Sequence, residues 1–274
     1  MMFCGNGPAT PGGVYTDKAF GPCAPALGWI PAVRYLLRRA RIMALTRSWR
    51  PGRLLEIGCA SGALLIEFQR RGFDVTGVET YAKARVLAEE MGRAFHAAIP
   101  IVPGLDLSAG FDVVISCEVL EHIEDDLGAL KDWAAQLRSG GRLLLSVPAH
   151  PRLWNVRDEL AGHCRRYERD HLVRLIGEAG FEVESVEHYA FPLGELLRWG
   201  GVFFYGRTAA PQALPREARA AESGIDRDQD SKFFRYYSRG LLKHLLAAAI
   251  GVQSLFKAFP WGDGLIVTAR KRAS

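Results

Sequence analysis

The sequence predicts an α/β fold with a Rossmann-like, doubly wound, mostly parallel sheet of seven strands, an N-terminal helix and an inserted helical substrate cap. Three observations predict this fold. Short apolar runs alternate with amphipathic segments between residues 53 and 189, as in strands joined by crossover helices. A glycine-containing turn, Gly58 to Gly62, directly follows the first of these runs. A last apolar run, Gly264–Lys271, is placed to complete the sheet.

The individual elements follow this alternation in order. A helix is predicted over Trp29–Trp49, where apolar residues recur at helical spacing and arginines lie on the other side. Strands are predicted over Leu54–Ile57, Val75–Val78, Phe111–Ser116, Arg142–Val147 and Glu182–Tyr189. The helices that connect them are predicted over Ala63–Arg71, Ala82–Phe95, Asp125–Leu137 and Arg169–Ala179.

We expect residues 29–274 to form a single domain with a helical insertion at 190–260. The preceding residues, 1–28, are rich in Gly, Pro and Ala, and we interpret them as a tail or lid. The insertion lies near the end of the sheet, where it can cap a substrate site. Its apolar side chains favour a small or lipophilic acceptor: Phe191, Leu196, Trp199, Phe203, Phe204 and Tyr205.

Composition excludes several classes of protein. The chain has 274 residues and a net charge of +5, from 35 basic and 30 acidic side chains, which is too small an excess to indicate nucleic-acid binding. The five cysteines are odd in number and show no CxxC spacing, so we expect a reducing, cytoplasmic location and no disulfide framework. No segment reaches the roughly 20 unbroken apolar residues of a spanning helix.

The turn after the first sheet strand carries the main binding motif. In LLEIGCASGALL, Glu56 lies on the strand, Gly58 and Gly62 shape the turn, and a helix follows, so a ligand can lie over the helix N-terminus. A dinucleotide site would have G-x-G-x-x-G, but Ala60 takes the middle position and Gly62 comes too soon. Because the Glu56 carboxylate would repel phosphates and attract an ammonium group, the motif favours a cationic ligand.

A second carboxylate follows the next strand. Glu79 comes 23 residues after Glu56, at the end of Val75–Val78. A carboxylate at this point can accept hydrogen bonds from both hydroxyls of a ribose. The alternative is a solvated acid at a strand end.

These motifs together resemble those of class I S-adenosylmethionine-dependent methyltransferases, especially the ubiquinone-biosynthesis O-methyltransferases. The resemblance rests on the glycine turn, Glu79, FDVVISCEVLEHIED and LRSGGRLLLSVP, and it spans about Arg53 to Tyr189. It implies a methyltransferase that uses S-adenosylmethionine, in which Gly58 and Gly62 back the methionine part and Glu79 holds the ribose. The cofactor-binding residues that we expect are Glu56, Gly58, Cys59, Ala60, Gly62, Glu79 and Cys117.

One part of the family pattern has no counterpart. Many of these enzymes have an acidic residue after the third strand that meets the adenine amino group. Here the stretch IPIVPGLDLSAG offers only Asp106, which comes too late in the chain. We therefore assign no residue to adenine.

A possible metal site lies directly after Phe111–Ser116, the fourth strand of the family pattern. If Glu118, Glu121 and His122 open a helix, positions i, i+3 and i+4 share one face and can hold a divalent cation. The motif resembles the ExxEH element of small-RNA 2′-O-methyltransferases and metal-using ubiquinone O-methyltransferases, in which a later histidine, here His163, completes the site. A bound Mg²⁺ or Mn²⁺ would lower the pKa of an acceptor hydroxyl. The alternative is a metal-free site, where His122 packs or acts alone.

The loop after Arg142–Val147, the fifth strand of the family pattern, should face the substrate. It contains His150 and His163, and either imidazole is a candidate general base; His122 is the third candidate catalytic histidine. The same loop carries Arg165 and Arg166. They either pair with neighbouring acids or clamp an anionic group of the substrate.

Methyl transfer to an oxygen of a small or lipophilic metabolite is the expected function. One alternative is RNA 2′-O-methylation, which would require a continuous basic groove, whereas the arginines here are scattered. Another is a partner protein that binds the cofactor without catalysis. A peripheral membrane contact is also considered, through the Arg-rich helix Arg34–Arg47 and the apolar stretch Leu241–Phe259. The oligomeric state is left open.

Overall fold

The structure, a computed structural model, describes residues 13–105, 110–198, 215–225 and 227–273. Its strands are β1 (Tyr15–Asp17), β2 (Gly21–Cys23), β3 (Arg53–Ile57), β4 (Asp74–Val78), β5 (Ile101–Val102), β6 (Phe111–Cys117), β7 (Leu137–Pro148), β8 (Phe181–Tyr189) and β9 (Gly264–Lys271). Its helices are α1 (Val33–Leu45), α2 (Ala63–Arg70), α3 (Ala82–Ala94), α4 (Asp126–Gln136), α5 (Val156–Ala161), α6 (Arg169–Glu178), α7 (Arg216–Ser223), α8 (Asp228–Tyr237) and α9 (Gly240–Val252).

Seven of these strands form the central sheet, in the order β5-β4-β3-β6-β7-β9-β8. The strands from β5 to β7 are parallel, and β9 runs antiparallel to both of its neighbours. This confirms the predicted seven-stranded, mostly parallel sheet. In register, Ile57 at the end of β3 lies beside Val78 of β4 and Ser116 of β6. The carboxyl ends of the three strands therefore meet at one edge, where parallel sheets bind ligands.

Apolar side chains are buried on both faces of the sheet. On one face, Leu37 of α1 and Leu65 and Phe68 of α2 belong to a cluster that also includes residues of β1, β2 and α9. On the other face, Leu130 of α4 and Leu172 of α6 pack with the alternate residues of the strands. Helices therefore cover the apolar surface of both faces, as in a doubly wound sheet.

The first helix, β7 and β5 differ from the sequence expectation for identifiable reasons. The first helix starts at Val33, because Pro31 favours extended backbone in the residue before it and Ala32 is itself extended. β7 begins at Leu137 instead of Arg142, since Leu137 pairs with Phe111 across an irregularity in the β6 register. β5 has only two residues between Pro100 and Pro103, too few for periodicity to reveal it.

Residues 1–28 are expected to form a tail or lid, but the described part of this segment, residues 13–28, is folded against the domain. β1 and β2 form an antiparallel pair, and Phe20, Cys23 and Ala24 are fully buried. The strands are too short, and the segment too rich in glycine and proline, for alternation to predict them. Residues 1–12 lie outside the described part of the chain.

The described residues of the 190–260 insertion are largely helical. Residues 193–198 form a helix, and α7, α8 and α9 follow. The side chains predicted to line the cap at Trp199, Phe203, Phe204 and Tyr205 lie outside the described residues. The assignment as a substrate cap stays a prediction. Within the described ranges, none of the helices has the length and apolar character to cross a membrane.

Candidate cofactor and catalytic site

The glycine turn has the backbone geometry that its sequence predicts. Gly58, Ala60 and Gly62 all have positive φ, at 72°, 46° and 68°. A Cβ atom on Gly62 would lie 2.8 Å from the Ile99 side chain, and one on Gly58 would collide with Val119. Glycine at these two positions therefore removes both backbone strain and steric conflict. The turn delivers the chain directly into α2.

Glu79 is bound to this turn. One of its carboxylate oxygens accepts a hydrogen bond from the Ala60 N–H over 2.9 Å, and the other accepts one from the Tyr81 N–H, also over 2.9 Å. The side chain is half-buried. Because each carboxylate oxygen has two lone pairs, both oxygens retain acceptor capacity for ligand hydroxyls.

Glu56 is buried beside the turn with an incomplete set of partners. It is 5% exposed, and its Oε2 atom has no hydrogen-bond partner among the described residues. Burial raises the pKa of Glu56 to about 8, and the charge of Arg38 opposes this rise. A buried carboxylate oxygen without a partner is costly, and a ligand ammonium group would satisfy it. This fits the amino group of S-adenosylmethionine.

The two cysteines predicted to line the cofactor site do not behave as nucleophiles. Cys59 is buried, and its Sγ packs towards Gly77 of β4. Burial raises the pKa of the Cys59 thiol well above its ordinary value and that of Cys117 to about 12. Both thiols are therefore protonated at neutral pH, and they can contribute through packing and backbone groups.

Glu118 does not belong to the group of proposed metal ligands whose ligand atoms lie within 4.8 Å of one another. The helix expected to open at Glu118 is replaced by a residue with φ of 56° and a single 3-10 turn, Leu120–His122, and α4 starts only at Asp126. The Glu118 carboxylate accepts a hydrogen bond from the Tyr189 hydroxyl over 3.0 Å. The i, i+3, i+4 argument therefore fails here, because the backbone is not α-helical.

Two arginines of α1 neutralise Glu118. Arg34 lies 3.5 Å and Arg38 3.8 Å from its carboxylate oxygens. Burial alone would raise the pKa of Glu118, but the two arginines outweigh it and lower the pKa to about 2. Neither arginine is assigned to the site in the sequence analysis. The i, i+4 spacing of Arg34 and Arg38 is the sequence signal that could have placed both charges on one face.

Glu121, His122 and His163 converge as possible metal ligands. One ligand atom from each of the three residues lies within 4.8 Å of the other two. Among the described residues, this is the only group of three or more His, Cys, Asp or Glu side chains that meets this distance. The two imidazole rings are 4.9 Å apart, and His163 Nε2 is 3.9 Å from Glu121 Oε1. Glu121 is fully buried, and neither of its oxygens has a hydrogen-bond partner among the described residues. The arrangement fits a bound cation.

Both histidines of this group are oriented through their other ring nitrogen. His163 Nδ1 lies 2.9 Å from Asp158, and His122 Nδ1 lies 3.3 Å from the Gly162 carbonyl oxygen. If each Nδ1 carries the proton, each Nε2 is left free to ligate, as in the carboxylate–histidine–metal pattern. Burial and, to a smaller extent, the neighbouring His163 lower the pKa of His122 to about 4, so this imidazole is neutral at neutral pH. Sequence reasoning did not single out Asp158 for this role.

His150 lies beside a cavity, in the segment after β7 that also carries His163. A cavity of about 410 Å³ is lined by His150, Arg152, Leu153, Phe191, Glu195, Pro260 and Trp261. His150 has φ of 59°, is 7% exposed, and stacks on His188 with 5.3 Å between ring centroids. Its Nδ1 lies 3.7 Å from Glu168, and its Nε2 has no partner among the described residues. The sequence contains no signal that predicts this stack.

Both arginines of the loop after β7 are engaged in ion pairs. Arg165 lies 2.5 Å from Asp126, and Arg166 lies 2.8 Å from Asp158, the residue that also binds His163. Of the two interpretations of these arginines, the structure favours pairing with neighbouring acids. Arg166 thereby helps to fix Asp158, which in turn orients His163, the candidate metal ligand.

Comparison with known proteins agrees with this architecture. Residues 31–186 match the sequence profile of the methyltransferase domain family. Two similar curated proteins are ubiquinone biosynthesis O-methyltransferases, from Nitrobacter winogradskyi (35% identical over 99 residues, covering 35% of this chain and 38% of that protein) and Paramagnetospirillum magneticum (35% over 102 residues, covering 36% and 41%). The chain thus spans about two fifths of the length of these relatives.

The fold is also found in a solved structure. An S-adenosylmethionine-dependent methyltransferase from Mesorhizobium loti superimposes with a TM-score of 0.50 at 16% identity, over 87% of this chain and 98% of that one. At this identity the likeness concerns the fold alone. The sequence profile covers more than half of the chain and confirms the resemblance on which the sequence expectations rest. The chain belongs to the methyltransferase domain family.

Proposed function

We propose that the protein transfers a methyl group from S-adenosylmethionine to an oxygen atom of a small or lipophilic acceptor. The observation that carries the proposal is the direct packing of two sites. Val119 contacts the glycine turn at Gly58, and the Glu121–His122 pair follows two residues later. A methyl donor held at the turn and an acceptor held near these side chains would therefore lie next to each other.

The donor half of the site is supported by charge. Buried Glu56 lacks a partner for one oxygen, and Glu79 is positioned on the turn with lone pairs to spare. The first would bind the amino group and the second the ribose hydroxyls. When S-adenosylmethionine is bound, its methyl carbon–sulfur bond breaks as the bond to the acceptor oxygen forms. The contribution of the chain is to hold the two reactants in line.

The acceptor half is supported by the cavity at His150. Its walls combine the aromatic rings of Phe191 and Trp261 with the polar groups of His150 and Arg152. A lipophilic molecule with a hydroxyl or acidic end matches this composition. With Nδ1 directed at Glu168, His150 would present an unprotonated Nε2 that can accept the proton of the hydroxyl. The names of the two curated relatives, both O-methyltransferases, also favour oxygen.

A divalent cation is part of the proposal, with Glu121, His122 and His163 as its ligands. Two imidazoles and one carboxylate suit a transition ion such as Mn²⁺ better than Mg²⁺, which prefers oxygen ligands. When such a cation is bound, it lowers the pKa of an acceptor hydroxyl and orients it. Glu118 is left out of this set because it is already neutralised by Arg34 and Arg38.

The function can be tested by following the methyl group. The purified protein is incubated with methyl-labelled S-adenosylmethionine, Mn²⁺ and a panel of phenols and catechols with and without alkyl chains. We expect label in the organic phase, base-stable as an ether, and formation of S-adenosylhomocysteine in equal amount. His150→Gln should reduce the rate without changing cofactor affinity, whereas His96→Gln, an exposed histidine outside the site, should not. Base-labile label would identify esters instead, and label on amines or carbon would contradict oxygen transfer.

A further inference from the structure

The helix α9 presents an apolar stripe to the outside of the molecule. Leu241, Leu245, Ala248 and Val252, at positions i, i+4, i+7 and i+11, lie on one helical face, and all four are exposed. Leu241 is 73% exposed, and Leu255, which follows the helix, is 72% exposed. We call the stripe, together with Leu255, Phe259 and Trp261, the α9 face.

The fold itself does not require this face to be apolar. The opposite side of α9 anchors the helix, where Ile250 is buried in the core and Leu246 packs against it. A surface helix with one buried side is ordinarily polar on the other side. A helix that is apolar on both sides has a second apolar environment to meet, and contiguous exposed apolar surface of this kind marks an interaction site.

The charge of the segment indicates an anionic partner. Residues 231–262 contain five Lys and Arg residues and no Asp or Glu. Lys243 pairs with Asp17 and Lys257 with Glu187, and the Lys257 side chain is 48% exposed beside the α9 face. An apolar stripe flanked by basic side chains is the pattern of helices that lie in the plane of an anionic membrane.

The aromatic end of the face has the composition of a membrane interface. Phe259 and Trp261 stack with 4.7 Å between ring centroids, and they are 46% and 47% exposed. Aromatic rings, Trp above all, concentrate at the headgroup level of bilayers. Trp261 also lines the cavity that contains His150 and Arg152, and Phe191 contacts it with 5.3 Å between centroids. The α9 face and the cavity therefore share a wall.

We propose that the protein docks on anionic lipid bilayers through the α9 face, with α9 parallel to the membrane plane and Trp261 at the headgroup level. Docking in this orientation places the shared wall of the cavity against the bilayer. A lipophilic acceptor could then pass from the membrane to His150 without crossing water. That last step rests on the proposed function; the docking itself does not.

The experiment is co-sedimentation of the full chain with vesicles of phosphatidylcholine alone or with 30% phosphatidylglycerol, without cofactor or acceptor. We expect binding to the anionic vesicles that is at least tenfold tighter than to the neutral ones and that weakens in 0.5 M NaCl. The double variant Leu241→Glu/Leu245→Glu should lose this binding by at least tenfold. Val86→Glu is the matched control, because Val86 is an exposed apolar residue of α3, and it should bind as the wild type does.

Three outcomes would overturn the proposal. The wild type could fail to bind anionic vesicles, or the double variant could bind as well as the wild type while its circular dichroism spectrum is unchanged. The third outcome comes from sedimentation velocity, which shows whether a second copy of the chain binds to the α9 face. A wild-type dimer that the double variant dissociates, with no vesicle binding by either, would assign the α9 face to self-association. Loss of methyl transfer alone has no bearing on the docking.

Discussion

Glu79 accepts a hydrogen bond from the backbone N–H of Ala60 over 2.9 Å. The carboxylate that follows β4 thus binds the glycine turn that follows the neighbouring strand, β3. Ala60 has φ of 46°, a conformation that non-glycine residues rarely adopt. The bond to Glu79 supports this conformation. One side chain thus both shapes the turn and offers acceptors to the ligand.

Glu79→Ala should weaken the binding of S-adenosylmethionine by about 1–3 kcal/mol, because a charged hydrogen-bond acceptor is removed. The measurement is a fluorescence or dialysis titration of the folded variant. Asp74→Ala provides the matched control, since Asp74 is an exposed carboxylate at the opposite end of the same strand, β4. Equal affinities for the wild type and Glu79→Ala would remove Glu79 from the site.

The buried carboxyl of Glu56 should make stability depend on pH. Its pKa is about 8 in the folded protein, against 4.5 for an unburied glutamate. The folded state therefore holds the proton more tightly, and folding free energy is lost as the pH rises from about 4.5 towards 8. Glutamine has no proton to lose. Glu56→Gln should be more stable than the wild type at pH 8 by about 1–3 kcal/mol, with little difference at pH 4.5.

Urea unfolding at the two pH values measures the Glu56 effect. Glu182→Gln serves as control, because Glu182 is an exposed carboxylate of β8, and its pH profile should match that of the wild type. A Glu56→Gln profile parallel to the wild-type profile would show that the Glu56 carboxyl is not perturbed in the folded state.

Mn²⁺ should bind to the protein through Glu121, and Glu121→Gln should abolish that binding. Electron paramagnetic resonance of free Mn²⁺ gives the bound fraction without any assay of activity. In the absence of metal, Glu121→Gln should be at least as stable as the wild type, since it removes a buried carboxylate that has no hydrogen-bond partner among the described residues. Glu124→Gln, three residues later and exposed, is the control. Wild-type Mn²⁺ affinity in Glu121→Gln would refute the ligand set.

Tyr189→Phe should destabilise the protein by about 1–2 kcal/mol, because the buried hydroxyl donates to the charged Glu118. Tyr35→Phe is the control that separates the contribution of the hydrogen bond to stability from the effect of removing a buried hydroxyl. The Tyr35 hydroxyl is buried and has no partner among the described residues, so its removal should cost nothing. Thermal unfolding of both variants gives the answer, and equal losses would show that the Tyr189–Glu118 bond contributes no stability.

Sequence reasoning reached the fold and the glycine turn because both leave local signals. Strand and helix periodicities repeat along the chain, and the turn needs glycine where a Cβ atom at position 58 or 62 would collide with its neighbours. The sequence predicts that Glu79 and the turn bind the same ligand, but it does not predict the hydrogen bond between Glu79 and Ala60. These features depend on residues close in sequence or on a standard crossover.

The rest of the site depends on contacts between distant segments. Glu118 meets Arg34 from α1 and Tyr189 from β8, and neither distance along the chain has a pattern that spacing could reveal. The expected grouping of Glu118 with Glu121 and His122 on one helical face was wrong, because the chain makes a left-handed turn at Glu118 and not a helix. The stack of His150 on His188 is likewise set by tertiary packing alone.

The most direct test of the central claim is calorimetric titration of the purified wild-type chain with S-adenosylmethionine and with S-adenosylhomocysteine, each with and without Mn²⁺. We predict one binding site per chain with micromolar affinity for both ligands, because the amino group and ribose that meet Glu56 and Glu79 are common to the two. Absence of heat with either ligand, confirmed by equilibrium dialysis, would contradict a cofactor site at the glycine turn.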